Sequence, residues 1–222
     1  IYLHMFRGMM YGSYRKPREL IWVGGWLTYV LLCAEGFTGY VLPWGQMSFW
    51  AAQVIISLLG SIPVIGEDLA TWIRGDYLIS GATLNRFFAL HVVALPIVLI
   101  GLVVVHILAL HEVGSNNPDG VEIKENKGSD GIPIDSVPFH PYYTLYHDLG
   151  GVILFLFAFC AVVFFAPEMG GYFLELANFQ EADSLKTPEH VPPVWYNTPF
   201  YAMLPAVTYH LLAMDAKFWG IL

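Results

Sequence analysis

Three apolar runs, each long enough to cross a bilayer, decide most of what this chain can become. Residues 20–42 carry one charge, Glu35; residues 87–110 carry no charge apart from two histidines; residues 149–166 carry none. A hydrocarbon core of about 30 Å takes roughly twenty helical residues, and lipid offers no partner to an unpaired backbone amide. Each run therefore reads as a membrane-spanning helix. Composition agrees, with 56% of the 222 residues hydrophobic and only 13% charged, about half the charge of a soluble domain. The net charge of −8 excludes a nucleic-acid binder, and two cysteines, Cys33 and Cys160, exclude a disulfide scaffold.

The remaining segments fill in an all-α plan. Residues 1–12 read as the end of a further helix that runs into a basic turn at 13–18. The chain opens at Ile1 and closes in an apolar stretch, so the expectation is an internal piece of a longer protein. Pro96 is expected to kink the second run without ending it. Residues 48–59 and 67–74 read as short amphipathic helices on the membrane surface. Residues 112–135 and 168–193 read as hydrophilic loops, and 195–214, interrupted by Pro199 and Pro205, as a half-buried helix. Arg7, Arg15, Lys16, Arg18, Lys124 and Lys127 fall on one side and the other four basic residues on the opposite one. That bias puts the 13–18 turn on the cytoplasmic or matrix side and the 47–81 and 168–193 loops on the opposite, positive side.

The histidines carry the chemistry. His91 and His106 are fifteen residues apart, which on a helix is about 60° beyond four rotations and a rise of about 22 Å. Two imidazoles thus share a face at two depths. Gly25 and Gly39 are fourteen residues apart in the preceding run, so they too share a face, about 40° short of four rotations. Two satisfied core histidines and a pair of helix-packing glycines are the plain alternative, but packing glycines recur every four residues. Matching depths of imidazole and bare backbone suit two flat macrocycles stacked across the membrane. Bis-histidine ligation leaves iron no open position, so the expected work is electron transfer. His4 is at the right depth to meet His106, with Arg7 and Ser13 placed to hold a propionate. His91 finds no partner in the chain, and its second histidine is expected upstream of Ile1.

Four motifs then point to one family. They are Gly39-Tyr40-Val41-Leu42-Pro43-Trp44-Gly45-Gln46-Met47-Ser48-Phe49-Trp50, Ala82-Thr83-Leu84-Asn85-Arg86-Phe87-Phe88-Ala89-Leu90-His91, His111-Glu112-Val113-Gly114-Ser115-Asn116-Asn117-Pro118 and Phe139-His140-Pro141-Tyr142-Tyr143. Together they strongly resemble cytochrome b, the quinol-oxidising subunit of respiratory cytochrome bc complexes, in its proteobacterial form.

The resemblance implies a transmembrane helical bundle binding two b-type haems, with amphipathic surface helices in its loops. It implies a haem-binding N-terminal region over 1–166, and the quinol-oxidation loop with the start of the C-terminal region over 167–222. His4 and His106 become the ligands of the high-potential haem and His91 one ligand of the low-potential haem, with Arg7, Ser13 and Trp22 at the propionates. Phe37, Tyr40, Ala51, Pro193, Trp195, Tyr196 and Tyr201 match the quinol-oxidation pocket. His111, Ser115 and the acid near 148, Asp148, match the quinone-reduction pocket. The implied activity is quinol oxidation on the positive side and quinone reduction on the other, coupled to proton translocation. Implied partners are a Rieske iron–sulfur protein, a c-type cytochrome subunit and membrane lipid, in a homodimeric, multi-pass complex of the bacterial inner membrane.

Three departures from the family stand out. The His91–His106 spacing is that of the chloroplast-type homologue, one residue longer than the mitochondrial one. The family's lysine–aspartate pair reads Tyr146-His147, followed by Asp148. The family's Pro-Glu-Trp-Tyr loop reads Pro193-Val194-Trp195-Tyr196, so its glutamate is absent and Glu189 or His190 is the nearest candidate proton acceptor. Two rival readings are a dihaem membrane subunit of another quinone-linked oxidoreductase, which would lack these loops, and a transporter whose buried histidines relay protons.

Overall fold

The computed structural model describes residues 1–212 and 214–221. Among the described residues ten α-helices occur in order: α1 (Tyr2–Met10), α2 (Glu19–Val41), α3 (Gln46–Leu59), α4 (Gly66–Arg74), α5 (Gly81–Ala89), α6 (Leu95–Val113), the single turn α7 (Phe139–Pro141), α8 (Gly150–Phe165), α9 (Thr198–Ala206) and α10 (Ala216–Ile221). Among the described residues β pairing is confined to isolated bridges. Three helices among the described residues are long and apolar enough to cross a membrane: Glu19–Val41, Gly81–Val113 and Phe139–Phe165. In α2 the hydroxyls that lipid cannot satisfy turn back on their own helix. Thr28 Oγ1 donates to the Gly24 carbonyl at 2.9 Å and Thr38 Oγ1 to that of Ala34 at 2.9 Å.

The second span starts earlier than its apolar run, and Pro96 does not end it. Five residues just before that proline, Leu90–Ala94, widen into a π-turn in which the Leu95 amide donates to the Leu90 carbonyl. Proline removes a donor and crowds the carbonyl four residues back, and a wider turn accommodates both. A second π stretch, Tyr142–Leu149, follows Pro141 and leads into α8. The third span therefore reaches back to Phe139, where hydropathy suggests a start near 149.

The expected single helix over 195–214 is a correction. A 3₁₀ turn at Trp195–Asn197 leads into α9, which carries Pro205 inside its last turn and ends at Ala206. Pro205 cannot donate to the carbonyl of Tyr201 and clashes with it, so the helix stops within a residue. Ala213, inside that stretch, lies outside the described residues.

The contacts divide into two units. The first comprises Ile1–Val30 and Leu99–Pro167. Its order comes from polar clamps more than from an apolar core. Arg18, 7% exposed, donates to the Gly114 carbonyl at 3.1 Å, the Ser115 carbonyl at 3.4 Å and Glu122 Oε1 at 3.4 Å. The second unit comprises Leu31–Val98 and Glu168–Leu222. Its core gathers Val41, Phe49, Ala52, Ile56, Ala70, Ile79 and Phe87. Ser80 and Thr83 form a reciprocal cap on α5, and Thr83 Oγ1 also donates to the Arg74 carbonyl at 2.7 Å. Gly75, at φ 77°, ends α4, in the left-handed conformation that glycine adopts without strain.

Candidate cofactor sites and a loop pocket

In the first unit His4 and His106 face each other, ring centroids 6.4 Å apart and planes at 76°. A metal–imidazole bond of about 2 Å, taken twice and added to two ring radii, comes to roughly 6 Å. Nδ1 of His106 is buried and has no hydrogen-bond partner, so this imidazole is not a satisfied core histidine. It lies over bare backbone: a Cβ built on Gly25 would come within 3.1 Å of His106 Cε1. Beside the pair, Asn116 Nδ2 donates to the Tyr11 carbonyl at 2.7 Å and to Ser13 Oγ at 3.4 Å. Arg7 Nη2 donates to the Asn116 carbonyl at 3.4 Å. Trp22 packs edge-on to Tyr14 and against Gly8, where a Cβ would meet it at 3.2 Å.

In the second unit His91 lies against Gly39 so closely that a Cβ there would come within 2.9 Å of its Nδ1 and 3.0 Å of its Nε2. His91 Nδ1 is 3.0 Å from the Glu35 carbonyl and 3.3 Å from its Oε1. A donor bond from Nδ1 to a carbonyl fixes the ring and leaves Nε2 as the coordinating nitrogen, the usual arrangement for a ligand histidine. The other Glu35 oxygen, Oε2, is buried without a partner.

The turn after α2 explains the long motif 39–50 physically. Gly45 pairs backbone with Glu181, and a side chain there would collide with the Asn178 backbone. Gln46 accepts from the Asp183 amide at 2.8 Å and donates to the Lys186 carbonyl at 2.9 Å. Ser48 Oγ donates to the Tyr40 carbonyl at 2.6 Å, and Asn178 Oδ1 accepts from the Ser48 amide at 2.9 Å. Trp50 Nε1 donates to the Asp183 carbonyl at 3.2 Å. All but the Ser48–Tyr40 bond join segments 130–140 residues apart in sequence.

The clamp builds one wall of a cavity of about 700 Å³ whose lining includes Tyr40, Pro43, Glu175, Pro193, Val194 and Trp195. The lining is mainly apolar and aromatic, and the Tyr40 hydroxyl donates to Glu175 Oε2. A pocket of this size suits one flat, largely apolar ring with a polar end. Tyr40, Pro193 and Trp195, expected here, line it; Phe37, Ala51, Tyr196, Tyr201 and Glu189 are not among the lining residues. Phe37 instead meets Phe87 edge-on at 5.3 Å, and Tyr196 packs on Trp195 at 5.5 Å. Glu175 is the residue that sequence reading missed. It is one acid among several in an acidic loop, and only the fold shows which of them turns inward.

At the other end of α6, His111 and Ser115 are exposed, and the Ser115 carbonyl accepts from Arg18. Asp148 is exposed and pairs with His147 at 2.7 Å.

Membrane-spanning helices that set imidazoles over glycine, one of them facing a second imidazole, define a haem-carrying membrane protein of the cytochrome type. Residues 1–171 match the family described as cytochrome b (N-terminal)/b6/petB, and residues 181–222 match cytochrome b (C-terminal)/b6/petD. Cytochrome b of Allochromatium vinosum is 62% identical over 93% of this chain and 50% of its own length. Cytochrome b of Rhodospirillum rubrum is 47% identical over 100% of this chain and 52% of its own. A solved structure described as a hyperthermophilic respiratory complex III superposes with a TM-score of 0.84 at 37% identity, covering 99% of this chain and 54% of that one. The chain belongs to the cytochrome b family, a family of haem b-binding, multi-pass membrane proteins. It spans about half the length of the curated relatives it matches.

Proposed function

We propose that this chain supplies the haem-binding and quinol-binding part of a quinol:cytochrome c oxidoreductase of a bacterial inner membrane. His4 and His106 hold one b-type haem, and His91 is one ligand of a second. When bound, each haem accepts and passes on single electrons, which lets one electron of a quinol cross the membrane. The observation that carries the reading is His106, whose buried Nδ1 has no hydrogen-bond partner and whose ring lies edge-on to that of His4 and over Gly25, taken with the family membership. Arg7, Ser13 and Trp22 hold the propionate side of the first haem.

The cavity behind Tyr40, Pro193 and Trp195 takes the quinol on the positive side. Its aromatic and proline walls exclude water from the ring, and the Tyr40 hydroxyl presents a polar group to it. Phe37, Ala51, Tyr196 and Tyr201, outside the lining itself, are assigned to the same quinol site. On the opposite side His111, Ser115 and Asp148 bind a quinone and deliver protons to its carbonyls. A Rieske iron–sulfur protein takes the other electron and a c-type cytochrome subunit receives it, in a homodimeric complex embedded in lipid. The N-terminal region is 1–166 and the quinol-oxidation loop with the start of the C-terminal region is 167–222.

The test is a reduced-minus-oxidised visible spectrum of the purified complex, followed by titration with quinol. Two b-type components that quinol reduces are the expected result. A complex without b-type absorbance, or one whose haems quinol does not reduce, refutes the proposal.

A further inference from the structure

We infer that Glu175, working through Tyr40, receives a proton from the substrate in the loop pocket, the position Val194 cannot fill. This rests on the quinol-oxidation reading and deepens it. Five acids occupy the 168–193 loop: Glu168, Glu175, Glu181, Asp183 and Glu189. Glu168, Glu181, Asp183 and Glu189 are exposed, and Glu175 alone among them is partly buried. It is also the one acid lining the cavity, which has no lysine, arginine or histidine in its wall. Tyrosines 40 and 172 are the other titratable groups in that wall, and Tyr196 neighbours Tyr40.

The hydrogen bond runs from the Tyr40 hydroxyl to Glu175 Oε2. The phenol has thus spent its proton on the carboxylate, and its oxygen lone pairs remain to accept from a ring hydroxyl. Tyr40 is held from both sides of the turn, since its carbonyl accepts from Ser48 Oγ and Ser48 is bonded to Asn178, three residues beyond Glu175. The same short segment therefore positions both members of the pair.

The step balances as follows. The quinol O–H bond breaks as its proton passes to Tyr40 Oη, while the proton already on Oη passes to Glu175 Oε2. Tyrosine ends as it began, and the carboxylate becomes a carboxylic acid. The two electrons leave singly, one to the iron–sulfur cluster of the Rieske partner and one to the ferric haem held by His91. The second ring proton leaves on the iron–sulfur side. Glu175 then gives its proton to water at the partly open face of the loop and returns to the carboxylate.

The experiment uses the purified complex with a short-chain ubiquinol, measuring turnover and the rate of haem reduction before the first turnover. Positioned proton transfer contributes about 10²–10⁴-fold, so Glu175→Gln is expected to slow quinol-driven haem reduction on the order of 100-fold while both b-type spectra persist. Adding Val194→Glu restores part of the rate. Tyr40→Phe slows the same step with Glu175 intact, and it decides the matter if Glu175→Gln fails to assemble. Glu168→Gln, on the exposed part of the loop, leaves the rate unchanged. Wild-type rates from pH 6 to 8 in both Glu175→Gln and Tyr40→Phe overturn the inference. A wild-type complex whose haems quinol does not reduce overturns the parent reading with it.

Discussion

Replacing Gly39 with alanine should empty one haem site and spare the other. The new methyl would stand 2.9 Å from His91 Nδ1 and 3.0 Å from Nε2, where carbon contacts are comfortable at about 3.5–4.0 Å. Because Cε1 lies closer still, the imidazole would have to retreat by more than about 1 Å. It cannot do so freely, because Nδ1 is held by the Glu35 carbonyl at 3.0 Å and by Oε1 at 3.3 Å. A side chain pushed about 30° off its rotamer costs of order 0.5–1.5 kcal/mol, and overpacking a filled site costs typically 1–3 kcal/mol. Taking about 2 kcal/mol, haem affinity at His91 falls roughly thirtyfold. Alanine favours a helix over glycine by about 1 kcal/mol, so α2 itself should not weaken. Gly25→Ala is the milder lesion on the same helix: its methyl meets His106 Cε1 at 3.1 Å, and His106 Nδ1 has no hydrogen-bond tether. A shift of a few tenths of an ångström relieves that contact, so the haem shared with His4 should be lost less than the one at His91. The assay is haem content by pyridine haemochrome with a low-temperature difference spectrum of each purified variant. Equal, wild-type haem content in both variants would refute the cradle argument, as would a larger loss in Gly25→Ala.

Three further outcomes are expected. His106→Leu removes the haem shared with His4 and leaves the His91 component; loss of both components or of neither from a folded, correctly assembled variant counts against the ligand assignment. His111→Ala slows re-oxidation of the His4–His106 haem by quinone and preserves both spectra, because five residues along the helix turn His111 about 140° away from His106; unchanged re-oxidation would make it an ordinary helix-end histidine. Arg18→Gln removes the charge that holds the carbonyls of Gly114 and Ser115. Charge-assisted hydrogen bonds contribute about 1.5–3 kcal/mol, so the 112–135 loop should be cut by protease at least tenfold faster at unchanged haem content, and a wild-type cleavage rate would show that the clamp contributes little.

Amino-acid order alone determined the membrane class, the presence of three spans and which histidines and glycines share a helix face. Those properties follow from local periodicity: run length sets the spans, and a 100° turn per residue puts His91 and His106 on one face at two depths, with Gly25 and Gly39 likewise on one face of the preceding helix. The tertiary structure decided what depends on distant residues. Nothing near position 90 announces that the helix widens into a π-turn before Pro96, because the wider turn is one of several ways to relieve the same clash. Nothing near position 35 says that its carboxylate meets His91, 56 residues on. The loop pocket is the clearest case. Glu189 stands nearer in sequence to the motif that lacks its glutamate, yet Glu175 faces the cavity, because Asn178 and Gln180 are stitched to the turn at Gly45–Ser48 and carry their neighbour inward. Sequence distance measures only how far the chain can reach; which acid turns inward is set by hydrogen bonds made after the chain has folded back on itself.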